Sequence, residues 1–442
     1  MGRRRRSMAD MPVESGVISD QSSDGRGVIK TDDKTVFVDA AITGELVSFR
    51  RMRRKRNYDE AELITVQQAS ADRVEPACTY FNYCGGCSLQ HLSSGAQLAF
   101  KQHALVEALE RIGGVSPETL LEPLAGRPLH YRRRARMGAK LVDKKGRVLV
   151  GFREKRKPYI ADMLSCETLT ECLGDLIQPL SELIASLSIS RQVPQIEMSQ
   201  GDESVSLVFR VLENPSAADL SLLQEFAAAH QASVWLQTGG PQTVARLDDS
   251  PDFPLFYDLP EFDLRMDFGP LDFIQVNQDM NRLMISQALG LLGDLQGMRV
   301  MDLFCGIGNF SLPLARNAAS VVGVELDQVM VAKAGRNAAA NAIDNAEFVA
   351  ADLSKPDGLP PALSSAFDLV VLDPPRAGAQ EVLDKVSASG AGRILYVSCH
   401  PGSLARDAGI LASEHGYTLK SAGAMDMFPQ TSHVEAMALF ER

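Results

Sequence analysis

Cys399 lies in the run Tyr396-Val397-Ser398-Cys399-His400-Pro401, directly after the strand-like stretch 393–397. A thiol at the end of a buried strand, before a turn proline, sits at the rim of a parallel sheet, where α/β proteins gather ligands. Such a thiol can serve as a nucleophile. Taken alone it is as well read as a small core residue. Two other segments favour chemistry. Asp373-Pro374-Pro375-Arg376 closes the strand-like stretch 367–372, and its two prolines stiffen the backbone beside an acid. Asp302-Leu303-Phe304-Cys305-Gly306-Ile307-Gly308-Asn309-Phe310 follows a strand and opens a helix.

Glycines in that position let the backbone approach a ligand closely. The third glycine of a dinucleotide fingerprint is missing. Glu325 ends the next strand, where a carboxylate can bind ribose hydroxyls, and Asp352 ends the third. A glycine loop, a Glu and an Asp at successive strand ends suit S-adenosylmethionine, and another nucleotide class is the alternative. Enzymes that methylate exocyclic amines usually follow the two prolines with an aromatic, and here Arg376 stands. Cytosine-C5 RNA methylases carry a Cys after a proline on this fourth strand. None is present, so Cys399 on the fifth strand is the nucleophile candidate.

A second constellation is Cys78-x5-Cys84-x2-Cys87, with Cys166 far along the chain. Four thiolates suit a structural zinc or a [4Fe–4S] cluster, and spacing alone slightly favours zinc. Cys172 is a spare ligand and Cys305 reads as packing. Tyr80, Phe81 and Tyr83 read as shielding for the cluster. Disulfides fit poorly in a chain that reads as cytoplasmic.

The positioning elements follow from the rest of the chain. Its 442 residues are 45% hydrophobic and 23% charged, which predicts a globular protein of about three domains. No apolar run reaches the roughly 18 residues of a membrane span. Arg3-Arg4-Arg5-Arg6 is followed by polar residues, which excludes a secretory signal. Net charge is −11, yet residues 127–157 hold 13 Lys and Arg against 2 Asp and Glu. Residues 1–56 hold 13 against 8. This asymmetry predicts one side facing a polyanion.

Residues 1–10 read as a flexible basic arm. Residues 11–70 read as five short strands of an OB-like barrel with a basic rim at 50–56. Apolar spacing predicts a helix over 97–112, stopped by Gly113-Gly114, and another over 175–188. From residue 297, strands at 299–304, 320–325, 346–350, 367–372 and 393–397 alternate with helical stretches. That pattern predicts a doubly wound, Rossmann-like parallel sheet.

With these motifs the chain resembles the RNA uracil-C5 methyltransferases over nearly its whole length. Gly25-Arg26-Gly27 and Val36-Phe37-Val38 resemble the TRAM domain. Phe273-Ile274-Gln275-Val276-Asn277 resembles the family's entry into the catalytic domain. Phe428-Pro429-Gln430-Thr431-Ser432-His433-Val434-Glu435 resembles its closing motif. One departure is His400, where the family usually has Asn after the nucleophile.

The resemblance implies Cys399 as nucleophile and Glu435 as general base. It places Gln275 and Asp373 near the methionine moiety and the uracil edge, with Phe304, Asn309, Glu325 and Asp352 lining the donor site. It tips the metal reading to a [4Fe–4S] cluster on Cys78, Cys84, Cys87 and Cys166. The implied domains are the TRAM barrel at 11–70, a central cluster domain at 71–262 and an S-adenosylmethionine-dependent domain at 263–442, onto which the helix near 95–113 packs. The implied substrate is 23S rRNA before ribosome assembly is complete, acted on by a monomer with no membrane partner. A tRNA T-loop uridine is the rival substrate. A non-catalytic RNA-binding assembly factor is the rival of another class.

Overall fold

A computed structural model of the chain describes residues 11–247, 255–355 and 367–442, so the expected arm at 1–10 lies outside the described residues. The described chain forms two compact units. The first holds residues 11–100 and the short segment Phe428–His433, and the second holds the rest.

The first unit is built on six strands: β1 (Val13–Val17), β2 (Asp20–Gln21), β3 (Gly27–Lys30), β4 (Thr35–Val38), β5 (Leu46–Arg54) and β6 (Tyr58–Gln68). The sheet order is β1-β5-β6-β4-β3-β2, antiparallel except for the β4–β6 pair. Alternation along β4 turns Val36 and Val38 inward, against Val47, Phe49 and Ala61. Sequence reading missed the two-residue β2 and so counted five strands. It also placed the basic cluster at a rim, whereas Arg50 to Arg54 continue β5. Acidic residues on β6 face them, with Arg54 opposite Asp59 and Arg53 opposite Glu60. Arg51 is held 2.9 Å from both Glu14 and Asp59. Cross-strand pairing thus neutralises part of the charge that the sequence seemed to offer a ligand.

Segment Phe428–His433 is stitched into this unit by amides. Gln97 donates to Gln430 Oε1 (3.0 Å) and accepts from the Gln430 N–H (2.9 Å). The Ser432 N–H donates to Ser88 Oγ at 2.9 Å.

The second unit contains two large sheets. After the two-residue β7 (Thr119–Leu120) come β8 (Arg134–Val142), β9 (Arg147–Gly151), β10 (Gln195–Gln200), β11 (Val205–Arg210), β12 (Ala232–Gln237) and β13 (Val244–Arg246). These six form a sheet in the order β13-β12-β11-β10-β8-β9. The helix expected over 175–188 is shorter, Ile177–Ser186, preceded by a separate turn at Glu171–Gly174. A hairpin of β14 (Phe256–Leu259) and β15 (Leu264–Asp267) follows.

The second large sheet then assembles β16 (Arg299–Leu303), β17 (Ser320–Glu325), β18 (Ala346–Ala350), β19 (Leu369–Leu372), β20 (Arg393–Ser398), β21 (Thr418–Met425) and β22 (Glu435–Glu441). Its order is β18-β17-β16-β19-β20-β22-β21-β7. The five expected strands are its parallel part. The antiparallel β22 and β21 were not foreseen as strands. Buried apolar residues on one face, such as Leu303, Val370, Ile394 and Tyr396, and on the other, such as Val371, Leu395 and Val397, mark it as covered on both sides.

The helix expected over 97–112 runs Ser94–Ala108 and ends in a π-helical turn, Leu109–Gly113. Its Leu105 and Leu109 join the core of this sheet. A Cβ on Gly113 would stand 2.5 Å from the carbonyl oxygen of Ala405, and one on Gly409 would stand 2.7 Å from that of Gly113. Only glycines allow so close an approach between this turn and helix Pro401–Ser413.

Candidate active site

Strand register gathers the site. Leu303 pairs with Val324 on one side and Leu372 on the other, and Leu372 pairs with Tyr396. The chain therefore leaves the parallel strands along one edge at Phe304, Glu325, Asp373 and Cys399. Strand β22 enters antiparallel at the same edge, with Ser398 opposite Ala436. The paired register ends there; Cys399 and Glu435 are the next residues of the two chains, and Glu435 adds to the rise of the Cys399 thiol. Met425, at the end of β21, pairs with Glu435 from the other side.

The loop after β19 is tied to the Cys399 segment. Asp407 accepts from the Tyr396 hydroxyl (2.6 Å) and from the Ala379 N–H (2.7 Å). Arg406 donates to the Ala377 carbonyl at 2.8 Å. His400 N-caps helix Pro401–Ser413, its Nδ1 accepting from the Ser403 N–H at 3.1 Å. Asn is a favoured N-cap, so His400 fills the structural task its usual counterpart would perform.

Electrostatics at this edge favour protonated acids. Burial pushes the half-buried Cys399 thiol up to about 11, with Glu435 and Asp373 adding to the rise and Arg376 opposing it. Glu435, 8% exposed, is pushed up to about 8 by burial and by Asp373, while Arg376 and Lys101 pull it down. Burial raises Asp373 to about 7. At neutral pH the thiol and the larger part of Glu435 hold their protons.

The glycine loop has the backbone its residues suggest. Gly306 and Gly308 have positive φ, and a Cβ on Gly306 would meet nothing within 4 Å. Phe304 also has positive φ (65°), an uncommon conformation for a bulky residue, at the point where the chain leaves β16. Glu325 is aimed at this loop. Its Oε2 accepts from the Gly306 N–H (3.2 Å), and Oε1 accepts from the Leu326 and Asp327 N–H groups. A carboxylate has about four acceptor sites, so capacity is left on Oε2 for a ligand hydroxyl. These features fit a nucleoside held against the loop.

Asn309 is fixed by a reciprocal amide pair with Asn281 (2.9 and 3.0 Å) and by the Tyr257 hydroxyl, which donates to its Oδ1 at 2.9 Å. Arg133 lies over the Tyr257 ring at 4.5 Å and donates through Nε to the Gln275 carbonyl at 3.0 Å. One buried guanidinium therefore supports both Gln275 and Asn309. Asp352 differs from expectation. Strand β18 ends at Ala350, and Asp352 is engaged locally by Ser354 and by Lys355 (2.8 Å), which hold its carboxyl down at about 2. Asp302 is buried with one oxygen bonded to Ser311 at 2.5 Å and the other unpaired, and burial lifts it to about 7.

Sequence reasoning missed Tyr257, Asn281, Arg133, Lys101 and Asp426. Lys101 had a legible signal. It lies four residues before Leu105 and eight before Leu109, on the stripe that faces the core. A charge there needs a buried partner, which is Asp426 at 2.5 Å.

No disulfide joins any of the seven cysteines, all of which lie among the described residues. Cys84 and Cys166 are buried, and the Gly86 N–H points at Cys84 Sγ at 3.4 Å. Cys305 is buried in the loop, in keeping with a packing role. Among the described residues, no group of three or more His, Cys, Asp or Glu side chains is arranged to hold a metal ion. The four thiols have the donor type and number that an iron–sulfur cluster uses.

The parallel sheet with its glycine loop and antiparallel tail defines a Rossmann-like methyltransferase fold. A crystal structure of Pyrococcus abyssi tRNA (uracil-54, C5)-methyltransferase with S-adenosyl-L-homocysteine shares it, with a TM-score of 0.75 at 24% identity. The match covers 96% of this chain and 99% of that one. A family model described as tRNA (Uracil-5-)-methyltransferase matches residues 254–355 and 362–442. Among curated relatives, the 23S rRNA (uracil(1939)-C(5))-methyltransferase RlmD of Alkalilimnicola ehrlichii is 48% identical over 100% of this chain and 99% of its own length. Proteins of the same name from Methylococcus capsulatus and Xanthomonas campestris are 47% and 46% identical, with full coverage of both chains. The chain belongs to the RNA uracil-C5 methyltransferase family, in its RlmD branch.

Proposed function

We propose that the chain methylates C5 of a uridine in 23S rRNA, the equivalent of the position 1939 named for its relatives, with S-adenosylmethionine as donor. Beside the kinship, the observation that supports this most is that Cys399 and Glu435 flank the last pair of β20 and β22, Ser398 with Ala436, at the open edge of the sheet. S-adenosylmethionine, when bound, supplies an electrophilic methyl group. C5 of uracil is a weak nucleophile. Addition of Cys399 sulfur to C6 saturates the 5,6 bond and turns C5 into an enolate carbon able to accept that methyl. Glu435 then takes the C5 proton, and elimination frees the thiol. Asp373, titrating near neutrality, can donate to or accept from the polar edge of the base. Gln275, Phe304, Asn309, Glu325 and Asp352 are our donor-site residues, with Asp352 first having to release its local partners.

The base must leave its stack to reach Cys399, a cost repaid by contacts to the RNA backbone. The basic stretch 127–157, with exposed Arg127, Arg136 and Lys157, supplies such contacts. The six-stranded sheet of the first unit is read as a TRAM-type RNA-binding barrel. We keep the boundaries at 70 and 262 as our domain proposal, and we place the enzyme in the cytoplasm as a monomer. Among the described residues, no helix is long and apolar enough to cross a membrane. We also propose that Cys78, Cys84, Cys87 and Cys166 carry a [4Fe–4S] cluster that orders RNA-binding structure and takes no part in the methyl transfer.

The test is transfer of labelled methyl to unmodified 23S rRNA and to tRNA, side by side, with the labelled base mapped. Label in 5-methyluridine of 23S rRNA, absent with Cys399→Ala, is expected. Label only in tRNA would keep the chemistry and overturn the substrate. No label in either would leave an RNA-binding assembly factor.

A further inference from the structure

We propose that the buried Lys101–Asp426 ion pair is a positioning device that sets how readily Glu435 takes up and gives back a proton. The proposal rests on Glu435 acting as the base. Lys101 is fully buried on helix Ser94–Ala108, and its Nζ lies 2.5 Å from Asp426 Oδ1. Asp426 follows Met425, the residue paired with Glu435 across β21 and β22. The pair therefore sits against the sheet edge from which Glu435 projects.

A buried ammonium is expensive, and its usual compensation is a partner carboxylate. Here that compensation is given beside a third ionisable group. The charged and titratable groups around Glu435 are Cys399 after β20, Asp373 and Arg376 after β19 and Lys101 on the helix, with Asp426 after β21 joined to Lys101. Lys101 favours the Glu435 carboxylate, and burial together with Asp373 disfavours it. Asp426 cancels part of the lysine's field.

The proton step makes the balance matter. In the adduct, the Glu435 carboxylate takes the C5 proton. The C5–H electron pair becomes the 5,6 π bond, and the C6–S pair returns to sulfur. A Glu435 too easily protonated stalls this step. One too reluctant cannot pull the proton.

The experiment follows decay of the methylated RNA–enzyme adduct against pH in the full-length enzyme. Lys101→Met leaves the Asp426 charge behind and is expected to move the ascending limb of the decay rate to higher pH by about one unit. Adding Asp426→Asn to that variant restores the local charge balance and is expected to return the limb toward its original position. Asp426→Asn alone is expected to move it downward, and this variant decides if Lys101→Met fails to fold. Limbs that stay put, or that move in the same direction in both single variants, overturn the proposal, because a merely structural pair gives no opposite signs. Glu435→Gln is the control for the underlying reading. If it resolves the adduct at the original rate, the base assignment fails. If it blocks decay while the other limbs do not move, only the role of the pair fails.

Discussion

Burial should keep the Cys399 thiol protonated at neutral pH, and alkylation can measure this. Cys399 is pushed up to about 11 from an ordinary 9.0, by burial first and then by Glu435 and Asp373. Two units correspond to about 100-fold less thiolate at any pH below 9. A more basic thiolate is also the better nucleophile, with a Brønsted slope near 0.4–0.5, which returns nearly tenfold per thiolate. The net expectation is alkylation by iodoacetamide about tenfold slower than that of an unstructured cysteine peptide at pH 8. The rate should climb about tenfold per pH unit, with no plateau below about pH 10. Glu435→Gln removes a negative neighbour and should speed the reaction, whereas Arg376→Gln removes a positive one and should slow it. Mass spectrometry of the peptide bearing Cys399 separates it from the other thiols. A plateau near pH 8, or slowing by Glu435→Gln, would refute the electrostatic account of this edge.

Stability should carry the same signature. Folded Asp302, Asp373 and Glu435 hold protons that the unfolded chain has lost between about pH 4 and 7–8. Unfolding free energy therefore falls as pH rises through that window. Tm is expected to be higher at pH 6 than at pH 8, with Asp302→Asn raising Tm at pH 8 and flattening the slope; a rise in Tm from pH 6 to 8 would contradict this. Gly409→Ala forces a methyl against the Gly113 carbonyl and should cost about 1–3 kcal/mol in denaturant unfolding. Unchanged stability would mean that the two helical segments separate freely. Iron extraction is expected to weaken RNA affinity and increase proteolysis of residues 78–87. If neither changes, the proposed ordering role of the cluster is wrong.

What could be read from the sequence was what local pattern encodes. The parallel strands β17 and β18 start and end where their β-rich runs do, since strands flanked by turn residues carry both boundary signals. The glycine loop was legible because its glycines adopt φ values that few other residues take. The juxtaposition of Cys399 and Glu435 was not written in any local pattern. It depends on β22 threading between β20 and β21, a non-local pairing that the sequence reading did not foresee; the family resemblance pointed only to Glu435 itself. The supports of the donor site were hidden for a similar reason. Tyr257 and Asn281 meet Asn309 from a hairpin and a helix that carry no motif. The basic cluster at 50–56 was misjudged because composition counts charges without their cross-strand partners.

The proton inventory explains why Cys399 is the last of the three acids to ionise. Asp373 titrates near 7, Glu435 near 8 and Cys399 near 11, all along one strand edge. With all three ionised, three negative charges would face Arg376 and a Lys101 already paired with Asp426, and a half-buried edge cannot sustain that. At neutral pH the edge therefore stays close to neutral, and the thiol should react with stray electrophiles more slowly than a free cysteine. A ligand that brings positive charge lowers all three values together, and one that donates hydrogen bonds to Asp373 and Glu435 lifts their suppression of the thiolate. Reactivity is thus coupled to occupancy by the arrangement of acids alone.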